Sequence, residues 1–373
     1  MMTNSADGDR NVTKPALNIP ASSSTVSVKI IDISTIANVP MHALVTPQVS
    51  GIQVAEDAPS YSFLIEHPSG QKVLFDLGIR KDWHNLAPAI VERFKKVGHR
   101  PMAKKNVSEI LDESGIGKDS IQAVIWSHSH WDHVGDMSTF GPGVDLVVGP
   151  GFTDYFLKDE SGNSALGGVL PSDVEGRRVR EINFTKGPNV TKIGQFPAHD
   201  FFGDGSLYLL DTPGHCVAHL CALVRTTTSP DTFVFLGGDA AHHCGEIRPS
   251  VYSPLPKSMP LPDAKGHIVP TCPGSWYEDL QLSRNRDPKG PLWQPSFGHD
   301  MEQTMITLGH VQEYDGDESV FIILAHDPSL RAPDVPFFPS PVNDWKERGL
   351  SQKYKWAWVA TIMAGMQVQE ETK

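Results

Sequence analysis

Apolar residues in this chain come in short blocks, each closed by glycine, proline or an acidic residue. VSVKIIDI, YSFLIEH and KVLFDLG open the series. QAVIWS, DLVVG, SLYLLDT, AHLCALVRT, TFVFLGGD and VFIILAHD continue it. Short runs rich in β-branched and aromatic residues, bounded by turn formers, predict strands. Between them the period changes. DWHNLAPAIVERFKKVG places apolar residues at mixed spacings of three and four, the mark of an amphipathic helix. SEILDESG predicts a second helix stopped by Gly115. MEQTMITLGHVQEY predicts a third, with Asp300 as its N-cap.

Two stretches break this rhythm. Residues 1–26 are rich in Ser, Thr, Asn, Asp and Pro and predict a mobile N-terminal tail. From Pro249 to Pro295 there are 10 prolines. Proline lacks a backbone donor, so this insert is expected to form neither sheet interior nor regular helix. It is either a surface connector or a loop beside the site. Its Tyr252, Trp276, Tyr277 and Trp293 would then either wall an apolar pocket or anchor the loop to the body. Residues 27–373 read as a single β-rich α/β domain in two rough halves, with no short internal repeat.

Composition narrows the class. Of 373 residues, 39% are hydrophobic and 20% charged, which suits a globular protein with a sizeable core. The net charge of -12 opposes a nucleic-acid partner, because an acidic chain repels phosphate backbones. No apolar run is long enough to span a bilayer, so no membrane partner is expected. Cys216, Cys221, Cys244 and Cys272 show no CxxC spacing and no disulfide framework. The N-terminal stretch MMTNSADGDRNVTKP has no apolar core of the kind a secretory signal carries. The expected compartment is cytoplasmic. Oligomeric state is not legible.

Chemistry concentrates at Ser127–His133, SHSHWDH. It follows a predicted strand, and two histidines two residues apart at a strand end can point the same way. His128 and His130 then offer ligands for one metal, and Asp132 with His133 for another. Zinc takes such nitrogen and oxygen donors, usually four per ion. Further donors occur downstream. His215 and His219 lie in DTPGHCVAH, where the Pro-Gly turn fixes the direction of His215. Asp239 ends FVFLGGD, and His326 ends FIILAH. A lone carboxylate such as Asp239 can bridge two cations.

These parts, in this order, resemble the metallo-β-lactamase superfamily. The family carries His-x-His-x-Asp-His, then a Pro-Gly-His turn, an Asp after a Gly-rich strand end, and a late His. An Asp before Gly after an early strand matches Asp76 in VLFDLG. The resemblance covers about residues 28–330. It implies an αββα sandwich, two sheets flanked by helices. It implies two Zn2+ per chain: one held by His128, His130 and His215, a second by Asp132, His133 and His326, with Asp239 bridging. Asp76 and His219 would support the ligands. Cys216 reads as packing rather than a ligand.

Two zinc ions would lower the pKa of a shared water toward neutrality and polarise a carbonyl oxygen. Asp132 could then carry the proton to the leaving group. The implied activity is hydrolysis of a small cyclic ester or amide by a metal-bound hydroxide. Both the acyl-homoserine lactone lactonases and fungal enzymes that open benzoxazolinone-type lactams in detoxification share these features. In the lactonases a Tyr three residues after the bridging Asp contacts the substrate carbonyl. His242 stands at that position here, either as a catalytic hydrogen-bond donor or, with His243, as part of a loop. The alternatives are a thioesterase of the glyoxalase II or polyketide-release type, an iron-dependent oxidoreductase on the same fold, and a nuclease. The charge opposes the last.

Overall fold

The computed structural model describes residues 13–158, 168–262, 268–271 and 275–371. Two six-stranded sheets dominate it. The first sheet contains β1 (Ser27–Ile31), β2 (Ser62–Glu66), β3 (Lys72–Phe75), β4 (Ala123–Ile125), β5 (Asp145–Val148) and β6 (Val179–Glu181). Its first three strands pair antiparallel, and β3, β4, β5 and β6 run parallel. The second contains β7 (Val190–Ile193), β8 (Phe196–Asp200), β9 (Leu207–Asp211), β10 (Leu220–Thr227), β11 (Thr232–Leu236) and β12 (Val320–Ile323). It is antiparallel except where β11 meets β12.

Side-chain alternation explains how these strands stack. Phe63, Ile65, Val73, Phe75 and Ile125 point from the first sheet into a core shared with Leu209, Ala222, Val234, Leu236 and Ile323 of the second. Their neighbours Leu64, Leu74, Val124 and Leu146 point the other way, onto Val107 and Leu111 of helix α2 (Val107–Glu113), which follows α1 (Pro88–Val97). On the far face, Leu210, Leu223 and Phe235 pack with Leu308 and Val311. Those two belong to α4 (Met301–Asp315), which comes after α3 (Trp276–Ser283). With both faces of each sheet covered, the strands read as unbroken apolar runs. Each fully buried aliphatic side chain contributes about 1.5–3 kcal/mol. The layers are the expected αββα sandwich.

The predicted helices form, and Asp300 Oδ1 accepts from the Gln303 backbone N–H at 3.0 Å to cap α4. Several elements differ from expectation. Strands β6, β7 and β8 were not evident in the sequence: VRE, VTKI and FPAHD are short, polar and at or near a sheet edge. A C-terminal helix, α5 (Trp358–Glu371), was also not anticipated.

Within the segment expected as a mobile tail, the described residues 13–26 pack on the sandwich. Leu17 and Val26 are buried, the Gly194 N–H donates to Leu17 O, and Arg225 donates to Pro20 O. Two apolar side chains seated on the sandwich hold this segment down. Residues 1–12 lie outside the described residues.

The proline-rich insert holds α3 and a two-stranded hairpin, Met259–Pro262 with Ile268–Thr271. That corrects the expectation of no regular helix. The stretch between Pro273 and Pro288 is proline-free, so its backbone donors can close helical turns.

Candidate functional site

The site collects the C-terminal ends of β3, β4, β11 and β12 and the turn after β9. Two groups of donors form there. His128, His130, His215 and Asp239 make one, and Asp132, His133 and His326 the other, with ligand atoms in each lying within 4.8 Å of one another. All seven expected ligand residues are therefore brought together, and all but the partly buried His130 are buried.

Asp239 stands between the groups. Its Oδ1 lies 3.1 Å from His133 Nε2 and 3.1 Å from His326 Nε2. Its Oδ2 lies 3.7 Å from His128 Nε2 and 3.6 Å from His215 Nε2. Each oxygen thus faces one group. His326 Nε2 also lies 3.5 Å from Asp132 Oδ2, and His130 Nδ1 is 3.0 Å from His215 Nε2.

A supporting layer sets which imidazole nitrogen faces inward. Asp76 sits just past β3 at a φ of 57°. Its carboxylate accepts from His133 Nδ1 at 2.8 Å, from the Ser127 N–H at 2.6 Å and from Ser127 Oγ at 2.7 Å. With Nδ1 protonated and committed, His133 presents the Nε2 lone pair to the centre. His326 is fixed the same way, its Nδ1 donating to Pro59 O at 2.6 Å. His219 does not join either group. Its Nδ1 bonds Thr212 O at 3.0 Å, and its Nε2 accepts from the Asp239 N–H at 3.2 Å. It holds the backbone of the central carboxylate, as expected of a supporting residue. Ser127 and the Pro59 carbonyl carried no sequence signal of their own, although Ser127 directly precedes the histidine cluster.

Electrostatics point to positive charge at the centre. Burial pushes His128 and His215 well below the usual imidazole range, so both are neutral donors at pH 7. Burial acts the same way on His133, but Asp239, Asp132 and Asp76 outweigh it and raise that residue. Burial also opposes the charge on Asp239, yet His133 and His326 hold it well below the carboxylate range. Carboxylates that would trap a proton among these rings are equally suited to a cation. His128 Nε2, His133 Nε2 and Asp239 Oδ1 are buried without a hydrogen bond. Lone pairs converging with no hydrogen between them fit metal ions, and the mix of imidazole and carboxylate suits zinc.

His242 is 5% exposed, with its Nε2 3.6 Å from Asp239 Oδ2 and no hydrogen bond at either ring nitrogen. Its ring lies 4.8 Å from that of Phe297. His243 differs: its Nδ1 accepts from the Gly245 N–H, and its ring packs on Trp293 and Trp358. So His242 faces the site and His243 braces the loop. Glu246 accepts from the backbone N–H of both, and burial pushes its carboxyl up to about 8. Cys216 stays outside the ligand groups with its Sγ 3.6 Å from Ser129 Oγ. Cys272 lies outside the described residues.

A cavity of about 1280 Å³ opens on the site, where His242, His243 and His326 line it. Its walls are residues 41–58, residues 327–334 and the C-terminal segment around α5. No described residue of the insert lines it. Trp293 is buried against His243, and the Tyr277 hydroxyl donates to Gly290 O. These aromatics anchor the insert to the body, and the pocket-wall alternative falls for them because both are buried in the core and neither lines the cavity. Among the described residues, no helix is long and apolar enough to cross a membrane.

Comparison with known proteins places these features. The family model described as "Metallo-beta-lactamase superfamily" matches residues 55–317. "Metallo-hydrolase mfmC" of Annulohypoxylon moriforme is 43% identical over 360 residues, covering 94% of this chain and 91% of its own. "Gamma-lactamase FDB1" of Fusarium pseudograminearum is 39% identical over 358 residues, covering 92% and 84%. The mpaDE and mpaDE' proteins of Penicillium brevicompactum, named as cytochrome monooxygenases, are each 42% identical over 364 residues, 95% of this chain. The chain spans only 40% of their length. A solved structure titled "Crystal Structure of Quorum-Quenching N-Acyl Homoserine Lactone Lactonase" superposes with a TM-score of 0.53 at 16% identity, over 86% of this chain and 100% of that one. At that identity the likeness concerns the fold.

Proposed function

Because the chain belongs to the metallo-beta-lactamase superfamily, we propose that it is a dizinc hydrolase that opens a small lactam or lactone. The observation that carries this reading is Asp239, whose two oxygens face separate donor groups beside His242 and His326, and those two residues line a cavity. The gamma-lactamase name of the Fusarium relative supports a cyclic amide, and the lactonase likeness a cyclic ester.

His128, His130 and His215 would hold one zinc, Asp132, His133 and His326 the other, and Asp239 both. When bound, such a pair supplies an acidified water and a Lewis acid for the substrate carbonyl. The remaining work belongs to the chain. Asp76 and the Pro59 carbonyl keep His133 and His326 in the tautomer that faces inward. His242 is a neutral imidazole, pushed down to about 4 by burial, with free nitrogens beside the centre. In this reading it donates a hydrogen bond to the carbonyl oxygen as negative charge gathers there. Asp132, in the second donor group with its Oδ2 3.5 Å from His326 Nε2, carries the proton to the departing nitrogen or oxygen. The aliphatic cavity excludes bulk water around the ring.

Residues 27–373 act in this proposal as one catalytic domain on a small uncharged molecule, without nucleic acid or membrane. The buried free thiols Cys216, Cys221 and Cys244 fit a reducing, cytoplasmic setting. Zinc-loaded protein incubated with lactams, lactones and thioesters, followed by mass spectrometry, tests the reading. Gain of one water by lactams or lactones is the expected result. Turnover of thioesters alone overturns it.

A further inference from the structure

The cavity is larger than a bare ring requires: pockets for drug-sized ligands run to about 300–1,000 Å³, and this one is about 1280 Å³. Its inner end is the reacting end, because His242 and His326 line it there. His242 is buried, and neither ring nitrogen has a hydrogen-bond partner. An unpartnered polar group aimed into an apolar cavity marks a place where a ligand's polar end belongs.

The outer walls lie beyond the part of the chain that the family model matches. Met41, Leu44 and Ile52 precede residue 55, and α5 follows residue 317. On α5, Ala360, Thr361, Ala364 and Gly365 share one face and all line the cavity. Larger side chains on that face would fill the space. A Cβ built on Gly365 would collide with Ile52 Cδ1, so the helix and the 41–58 segment close against each other at this end.

The helix is held in place from behind. Arg248 donates to Asp315 Oδ1 at 2.9 Å and 2.7 Å and to Lys355 O at 2.8 Å. Lys355 Nζ lies 3.2 Å from Asp315 Oδ2. Trp358, which also lines the cavity, has its ring 5.6 Å from that of His243, the neighbour of His242 in the chain. Among the described lining residues Lys353 is paired with Asp334 at 2.8 Å and Asp57 with Arg331, and Glu56 adds a carboxylate, so an acidic ligand meets no free Lys or Arg there.

We propose that the cavity binds an uncharged apolar arm attached to the ring, and that Ala360 and Ala364 set the arm length accepted. This rests on the ring-opening reading above. The substrate class is then a lactone or lactam with an aliphatic or aromatic substituent, seated with its ring at His242 and its arm along α5.

The test compares γ-butyrolactone, γ-octalactone and γ-dodecalactone, and the matching γ-lactams, in wild type, Ala360→Phe and Ala364→Phe. Ala364 is exposed, so that variant keeps core packing intact even where Ala360→Phe melts. Wild type should gain about fourfold in kcat/KM per buried methylene until the cavity is full. Both variants should raise KM for the long-arm compounds by about tenfold or more while leaving the bare ring unchanged. A flat wild-type series, or equal losses on bare and long-arm rings, overturns the proposal. Fluorescence of N-phenyl-1-naphthylamine, an uncharged apolar probe, gives a second readout. Strong binding by wild type and loss in the variants upholds the cavity assignment even if no ring in the panel opens, in which case the ring-opening reading alone falls. Equal binding by all three proteins overturns the assignment whatever the turnover.

Discussion

The site has two walls, and they are built differently. The donor wall consists of charged and imidazole side chains at strand ends, and its second group is fixed by specific partners, Asp76 on His133 and Pro59 O on His326. The cavity wall is built largely of small and apolar residues from 41–58, 327–334 and α5, with charged side chains such as Glu56 and Lys353 among them. Chemistry therefore depends on single atoms, and selectivity on how these segments stand against each other. A change in the first wall should alter metal and turnover together. A change in the second should alter which substrate is accepted and leave the metals in place.

The largest expected effect is that of Asp239→Ala. It removes the carboxylate whose two oxygens face both donor groups and leaves the buried His128 and His215 without the acid beside them. Metal content measured by plasma mass spectrometry should fall at both positions, and turnover should fall to background. A variant that retains both ions and turns over normally would break the division, because the donor wall would then not depend on its centre.

Arg248→Ala probes the other wall. Arg248 and Asp315 form a buried pair, and removing Arg248 leaves Lys355, 3.2 Å away, to balance the Asp315 carboxylate alone. Breaking such a pair costs about 3–5 kcal/mol, measurable by urea denaturation. Because the same guanidinium holds Lys355 O just ahead of α5, substrate affinity should drop while the folded fraction keeps its full metal content. Loss of metal in folded Arg248→Ala would show that the walls are coupled.

Asp76→Asn sharpens the first wall from one layer out. Asparagine tolerates the positive φ at this position and keeps the volume, so the change isolates charge and hydrogen-bond polarity. The amide keeps one acceptor oxygen, so either His133 Nδ1 and Ser127 Oγ or the Ser127 N–H lose their acceptor, and the charge that supports His133 is gone in both cases. Loss of such an outer partner weakens metal binding about 10–100-fold. Metal titration should show the weakening at the Asp132–His133–His326 group first, and equal weakening at both groups would contradict the assignment of His133.

These contrasts also explain what the sequence disclosed. The donor wall was legible because strand ends place a few chemically distinctive residues next to recognisable turns: Asp76 before Leu77-Gly78, His215 after Pro213-Gly214, Asp239 after Gly237-Gly238. Strands in the middle of the sheets were legible because both faces are apolar. The cavity wall left no comparable signal. Ala360, Ala364 and Gly365 matter for what they leave empty, and small residues in an apolar helix read as ordinary packing. Tyr252, Trp276, Tyr277 and Trp293 were the more conspicuous candidates, yet the insert spends Tyr277 and Trp293 on anchoring itself. His242 sat between the two cases: its position in GDAAHH was evident, and only the fold separated it from His243.

The smallest expected effect belongs to the element that touches both walls. Helix α4 begins at Asp300, whose N–H donates to Gly214 O while the His299 N–H donates to His215 O. It ends at Asp315, in the clamp behind α5. Asp300→Ala removes the side-chain cap on Gln303 and should cost about 1 kcal/mol of stability, read as a shift in the urea midpoint. The backbone bonds to the His215 turn do not need the carboxylate, and the Asp315 clamp lies at the far end of the helix. Metal content and arm-length preference should therefore both stay at wild-type values. A loss confined to the His128–His130–His215 metal would mean that the cap orders the His215 turn as well as the helix, and the donor wall would then extend through α4 rather than stop at the strand ends.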